Sequence, residues 1–196
     1  MNRGLAARTA HRGDVVFAAI CALAVLAGCG TSATTSAANG STALSSGKSA
    51  KLTLALGSSF EDGTFKRAST CQDPDMDYSP SLSFAGTRKS RTLAITMVDL
   101  ANGKVHWILT GLDGAATGIV EHTLAPGAKE WPNDFNEASY DGPCPPAHAT
   151  HRYALTLYSL TAPVDLSSAK KPLDAVAKLA AAANDRVEVV ATYTAT

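Results

Sequence analysis

The sequence predicts a mainly β domain with one late helix. Three features predict it: short runs of alternating apolar residues, long intervals rich in Gly, Pro, Asp and Asn, and a single stretch with helical spacing. Leu52, Leu54 and Leu56 alternate in a first strand. Leu93, Ile95 and Met97 alternate in a second, which ends at Asp99. Val105 to Leu112 forms a third, and Tyr153, Leu155 and Leu157 mark a fourth. Val187 to Tyr193 is rich in β-branched residues and closes the chain. Side chains in a strand point alternately to its two faces, so each run predicts a half-buried strand. The helix begins at Pro172, whose missing N–H is not needed in a first turn. Leu173, Val176, Ala177, Leu179 and Ala180 then form its apolar stripe.

The segment before this domain reads differently. Arg3, Arg8 and Arg12 precede an unbroken apolar run of 12 residues, Val15 to Leu26. That length suits the apolar stretch of a signal peptide. It is too short to span a membrane, which takes about 20 residues. Leu26-Ala27-Gly28-Cys29 follows and resembles the lipobox of bacterial lipoproteins, in which the cysteine sulfur carries diacylglycerol. Residues 1–28 are thus expected to be a signal peptide, with Cys29 lipidated on the extracytoplasmic face of the cell membrane. Two acyl chains anchor stably where one does not. Residues 29–50 form the lipidated cysteine and a linker, because Gly30 to Ala50 holds 18 Ser, Thr, Ala or Gly among 21 residues. As a coil this stretch spans about 25 Å. Residues 51–196 have the length of one domain with one core.

Charge excludes one class of partner. Residues 1–28 contain three Arg and one Asp, which leaves 14 Lys and Arg against 16 Asp and Glu in the mature chain. A net charge of −2 gives no electrostatic footprint for nucleic acid.

Three segments carry chemistry. Asp99 ends a strand, and His106-Trp107 lies in the next. His151-Arg152-Tyr153 opens a later strand, directly after the stiff run Tyr140-Asp141-Gly142-Pro143-Cys144-Pro145-Pro146. His151 and Tyr153 are two residues apart and share a face, which leaves Arg152 on the other. Imidazole and phenol both donate hydrogen bonds near neutral pH and suit the oxygens of an anion. Asp99 could meet a ligand's ammonium, but it would repel a bare dianion at close range, and its expected work is to fix a histidine's tautomer. A polar core in which these groups satisfy one another is the structural alternative.

The order of these segments resembles the phosphatidylethanolamine-binding protein family. Asp77-Tyr78-Ser79-Pro80, Val98-Asp99, His106-Trp107, Gly142 to Pro146 and His151-Arg152-Tyr153 follow the family's sequence of motifs, with Asn133-Asp134-Phe135 ahead of the Gly-Pro loop. The resemblance runs from about Leu52 to Tyr193. It implies a β-sandwich with a C-terminal helix, long loops and a small anion pocket at one end. The implied pocket residues are Asp99, His106, His151 and Tyr153, with Pro143 and Pro145 at its mouth. Asp77 and Ser79 are expected on an adjacent loop. One departure stands out. Asp99-Leu100-Ala101-Asn102-Gly103 replaces the family's Asp-Pro-Asp-Ala-Pro, so a proline of one pocket wall is missing.

The resemblance therefore implies a binding protein, not an enzyme, that holds phosphate or a phospholipid headgroup without a cofactor. The alternatives are an inhibitor of a hydrolase or kinase-like partner acting through the pocket rim, and a weak hydrolase. Other site readings fit less well. Asp73, Asp75 and Asp77 begin like a calcium loop, but Tyr78 and Phe84 stand where Gly and Glu belong. Cys144, His148 and His151 have zinc-like spacing without a fourth ligand. No nucleophile-elbow sequence surrounds Ser79. After export Cys21 is removed and Cys29 acylated, which leaves Cys71 and Cys144 on loops that the resemblance puts near the pocket. A disulfide between Cys71 and Cys144 is expected, which an oxidising compartment permits, and two free thiols are the alternative.

Overall fold

The computed structural model describes residues 51–73, 75–87 and 90–196. The expected signal peptide, the lipidation site Cys29 and the linker lie outside these residues. Along the described chain run β1 (Thr53–Leu56), β2 (Phe60–Glu61), β3 (Thr64–Phe65), β4 (Leu82–Ala85), β5 (Thr92–Asp99), β6 (Val105–Asp113), β7 (Gly118–Ile119), β8 (Lys129–Glu130), β9 (Thr150–Leu160), α1 (Pro172–Ala182) and β10 (Asp185–Thr194). The strands form two sheets, β1-β4-β7 and β2-β3-β10-β9-β5-β6-β8. This is the expected mainly β sandwich with a helix near its C-terminus.

The five strands read from alternation are β1, β5, β6, β9 and β10. The short β2, β3, β7 and β8 gave no comparable signal, because two residues are too few to show a period, and the four-residue β4 was missed.

The central strands are not half-buried. One apolar cluster fills the space between the sheets and joins Leu52, Leu82 and Phe84 to Leu93, Ile95, Met97, Leu155 and Leu157. A second cluster covers the other face of the large sheet and joins Ala94, Ile108 and Tyr158 to Leu166, Ala175 and Leu179. The off-beat residues of β5 tolerate this cover because they are small or paired. Ala94 has no polar side chain, and the Thr96 hydroxyl lies 3.2 Å from that of Tyr158. Truncating a fully buried leucine such as Leu179 would cost about 2–5 kcal/mol.

The helix starts where the sequence places it. Asp174 reaches back to accept the Lys171 N–H at 3.1 Å and closes the first turn. Its buried stripe is rotated from the expected one. Ala175 and Leu179 are buried, whereas Leu173 is 54% exposed and Ala177 also faces solvent. Apolar residues run around most of this helix, so spacing alone could not say which arc meets the sheet.

Candidate functional site

The register of three strands assembles the site. Asp99, the last residue of β5, stands opposite Tyr153 of β9. His151, two residues earlier on β9, stands opposite Tyr193 of β10. Asp99, His151 and Tyr153 therefore share a face of the sheet. The His151 Nδ1–H donates to Asp99 Oδ2 at 2.7 Å.

The Asp99 carboxylate has two further donors. The Ala101 N–H reaches Oδ1 at 2.8 Å, and the Asn102 side-chain amide reaches Oδ2 at 2.9 Å. Both belong to the turn that departs from the family pattern. Gly103 takes a left-handed φ of 75° there and donates its N–H to the Asp99 carbonyl at 2.8 Å. Three donors hold the carboxylate, so Asp99 is placed to orient His151.

His106 is oriented differently. Its Nδ1 lies 2.9 Å from the carbonyl oxygen of Asp141. A carbonyl only accepts, so Nδ1 carries the proton and the neutral ring keeps Nε2 as an acceptor. The ring is buried, 4.8 Å from the Phe135 ring and edge-on to Tyr153 at 5.3 Å. Burial pushes its pKa down, against smaller upward pulls from the Asp141 carbonyl and the Asp99 charge. Among the described residues, Nε2 of neither histidine takes part in a hydrogen bond.

Tyr153 lies between the two rings, 5.3 Å from His106 and 6.4 Å from His151. Its hydroxyl is buried and has no hydrogen-bond partner among the described residues. Burial first, then the Asp99 charge, hold the phenol well above its usual pKa, and the nearby Cys144 N–H only partly offsets them. A buried unpaired hydroxyl costs about 1–3 kcal/mol, and native proteins rarely leave one without a reason.

Asp77 and Ser79 line a separate cavity of about 260 Å³ with Trp107, His122, Glu130 and Tyr140. None of Asp99, His106, His151 or Tyr153 lines it. The link between the two places is the peptide from Asp141 to Gly142. Its carbonyl takes the His106 proton, while its N–H stabilises the Asp77 carboxylate. A side chain at Gly142 would run into the Asp77 carboxylate and lie 2.7 Å from Thr70 Cα and 2.8 Å from Ser69 O, so only glycine fits. Asp77 pays for its position: Oδ1 is buried without a hydrogen bond, and burial raises its pKa. The Asp141 carboxyl is pushed up to about 6, by burial first, then by the charges of Asp77 and Glu137.

Pro143 and Pro145 are buried in the segment leading to β9, with Cys144 exposed between them. The Pro143 carbonyl accepts the Cys71 N–H at 3.3 Å. Cys71 and Cys144 form a disulfide across a Cα–Cα distance of 5.4 Å and a sequence separation of 73. Cys144 therefore has no thiolate to offer a metal. Sequence reasoning gave Asn133 no role, yet it pins the loop beside His106. Its amide donates to the carbonyls of His106 and Ser139, and its Oδ1 accepts from the N–H groups of Phe135 and Glu137. Its only visible signal was an Asn at the head of a polar loop, where such side chains cap the backbone.

The family model described as phosphatidylethanolamine-binding protein matches residues 56–194. The chain belongs to that family. Solved members have the same fold. The Escherichia coli family member YbcL superposes with a TM-score of 0.65 at 20% identity, over 75% of this chain and 100% of that one. The Chlamydia trachomatis homologue CT736 gives 0.63 at 23%, over 74% and 99%. Among curated relatives, a Mycobacterium tuberculosis protein named as lipoprotein LppC is 30% identical over 118 residues, 58% of this chain and 59% of its own length. The protein Rv1910c of the same species is 34% identical over 90 residues, 45% and 44% of the two chains. The match thus spans about half of these relatives. Among the described residues no helix is long and apolar enough to cross a membrane.

Proposed function

We propose that this phosphatidylethanolamine-binding protein family member is a lipid-anchored, extracytoplasmic binding protein that holds a small phosphate-like anion between His151, Tyr153 and His106. The observation that carries the reading is the buried, unpartnered Tyr153 hydroxyl between two oriented imidazoles. An anion oxygen supplies the acceptor that this hydroxyl lacks. When protonated, His151 adds a second donor at Nε2, because Asp99 already holds Nδ1. Ser79, the nucleophile a hydrolase reading would use, lines the separate cavity and not this cluster. The anchor reading rests on Cys29 and on the resemblance to a protein named as a lipoprotein.

Two experiments test this. Calorimetric titration of the full-length protein in detergent with phosphate and with phosphoethanolamine should show saturable binding. In His151→Ala it should weaken at least tenfold, the value of one charge-assisted hydrogen bond. Equal affinity in both proteins would leave the cluster as a structural polar core. Cys29→Ser should move the protein from the membrane fraction to the soluble fraction, and retention in the membrane would refute the anchor.

A further inference from the structure

His106 and Tyr153 are not equivalent partners for an anion. Tyr153 brings a hydroxyl with a proton to give. His106 brings a lone pair at Nε2, because its Nδ1–H donates to the Asp141 carbonyl at 2.9 Å. The groups around the ring maintain that state. The ring packs against Phe135 at 4.8 Å and, T-shaped, against Tyr153 at 5.3 Å, and the Lys104 ammonium lies 4.9 Å from the Phe135 ring. Asp99 is the one nearby carboxylate pulling toward the charged ring, and three donors from Ala101, Asn102 and His151 already engage it. Burial is the largest influence and disfavours the imidazolium, with a small contribution from Lys104, against smaller upward pulls from the Asp141 and Gly142 backbone and the Asp99 charge. An anion with lone pairs only would face the Nε2 lone pair of a neutral His106 at close range. A ligand with an acidic hydroxyl would turn that repulsion into a hydrogen bond.

We infer that the site reads a proton on its ligand: it selects an oxyanion that still carries an acidic O–H, which donates to His106 Nε2 while an unprotonated oxygen of the same group accepts from Tyr153. The inference rests on the proposed anion site and narrows its ligand. Inorganic phosphate carries at least one P–OH near neutral pH. Sulfate has the same shape and the charge of hydrogen phosphate but no proton. The phosphodiester of an intact phospholipid has none either. The class favoured is therefore inorganic phosphate or a monoester in its singly protonated form, in preference to an intact lipid headgroup. A buried acceptor left unmatched costs enough to make such discrimination tenfold or more.

The test is competition calorimetry on the full-length protein in detergent at pH 7.5, with phosphate, sulfate and dimethyl phosphate as probes. Phosphate should bind at least tenfold more tightly than either of the others. His106→Gln, which can present amide N–H groups in place of the lone pair, should bring sulfate within about threefold of phosphate. Equal affinity for phosphate and sulfate in the wild type would overturn the inference and leave the anion site standing. Absence of binding by all three probes would overturn the site as well. A phosphate preference that persists in folded His106→Gln would overturn the role of His106. If that variant does not fold, the wild type decides by pH. Sulfate affinity should then gain on phosphate as acid protonates His106, and a constant ratio down to pH 4.5 in the folded protein would overturn the inference.

Discussion

Two polar regions meet at the Asp141–Gly142 peptide and solve the burial of charge in opposite ways. On the carbonyl side, one buried carboxylate, Asp99, receives three donors and orients His151. On the N–H side, burial drives both Asp77 and Asp141 toward their neutral forms, and the Asp77 charge pushes Asp141 further. A trans peptide points its C=O and N–H in opposite directions, so one bond serves an imidazole on one side and a carboxylate on the other. Acid therefore acts on the two regions with opposite sign. His106 has a folded pKa below its ordinary 6.5, so its contribution to stability is present above pH 6.5 and is lost as pH falls below that value. Asp141 has a folded pKa of about 6 against an ordinary 3.8, so its contribution is largest below pH 3.8 and is lost as pH rises toward 6.

The largest expected effect comes from cutting the tie between the regions. Cys71 leads into the Asp77 loop, and Cys144 lies beside the Tyr153 hydroxyl. Closing 73 residues stabilises the fold by about 4 kcal/mol in the chain-entropy model. Reduction, or the double change Cys71→Ser with Cys144→Ser, should lower the melting temperature by roughly 10 °C for a domain of this size. Thermal circular dichroism with and without reductant checks this. A shift under 2 °C would show that the bridge adds little to the stability of the fold.

A smaller effect separates function from stability on the carbonyl side. Tyr153→Phe removes a hydroxyl that has no partner in the described structure. The unliganded protein should keep its stability or gain up to about 1 kcal/mol. Phosphate binding should weaken by about 10-fold to 100-fold. Urea melts and calorimetry on the same preparation measure both. A variant that is less stable by 1 kcal/mol or more would show that the hydroxyl supports the fold, which would erase the contrast with Asp99.

The carbonyl side was far more legible in the sequence than the other. His151 and Tyr153 at a spacing of two on a clearly alternating strand fixed their common face, and Asp99 at the end of another strand followed from the same period. The resemblance supplied the order of motifs and the expectation that they share one pocket. Three things did not show. The cover on the second face of β5 and β9 depends on where α1 packs, which no local period encodes. The short strands of the small sheet are set by their neighbours. The roles of Asp141 and Asn133 arise from backbone groups, a carbonyl offered to His106 and a loop pinned by a side-chain amide, and such contacts leave almost no trace in residue type.

The smallest expected effect tests whether the two regions are independent. In Asp77→Asn the carboxylate charge beside Asp141 disappears, while the new side chain keeps an oxygen for the Gly142 N–H. Burial is the first cause of the raised Asp141 pKa and Asp77 the second, so the value should fall below 6 without reaching 3.8. The native protein then takes up fewer protons between pH 3.8 and 6, and the penalty for ionised Asp141 at neutral pH shrinks. Asp141 is only partly buried, so the gain after solvent screening is about 1 kcal/mol. It should appear in urea melts at pH 7.5 and be smaller at pH 4.5, where Asp141, pushed up to about 6, is largely protonated in the wild type. A carboxyl-detected NMR titration of Asp141 follows the same change directly. Phosphate affinity at pH 7.5 should stay within twofold of the wild type, because Asp77 touches neither His106 nor Tyr153. A gain that is equal at both pH values would remove Asp77 as the partner of Asp141. A large change in phosphate affinity would mean that the peptide couples the regions instead of separating them.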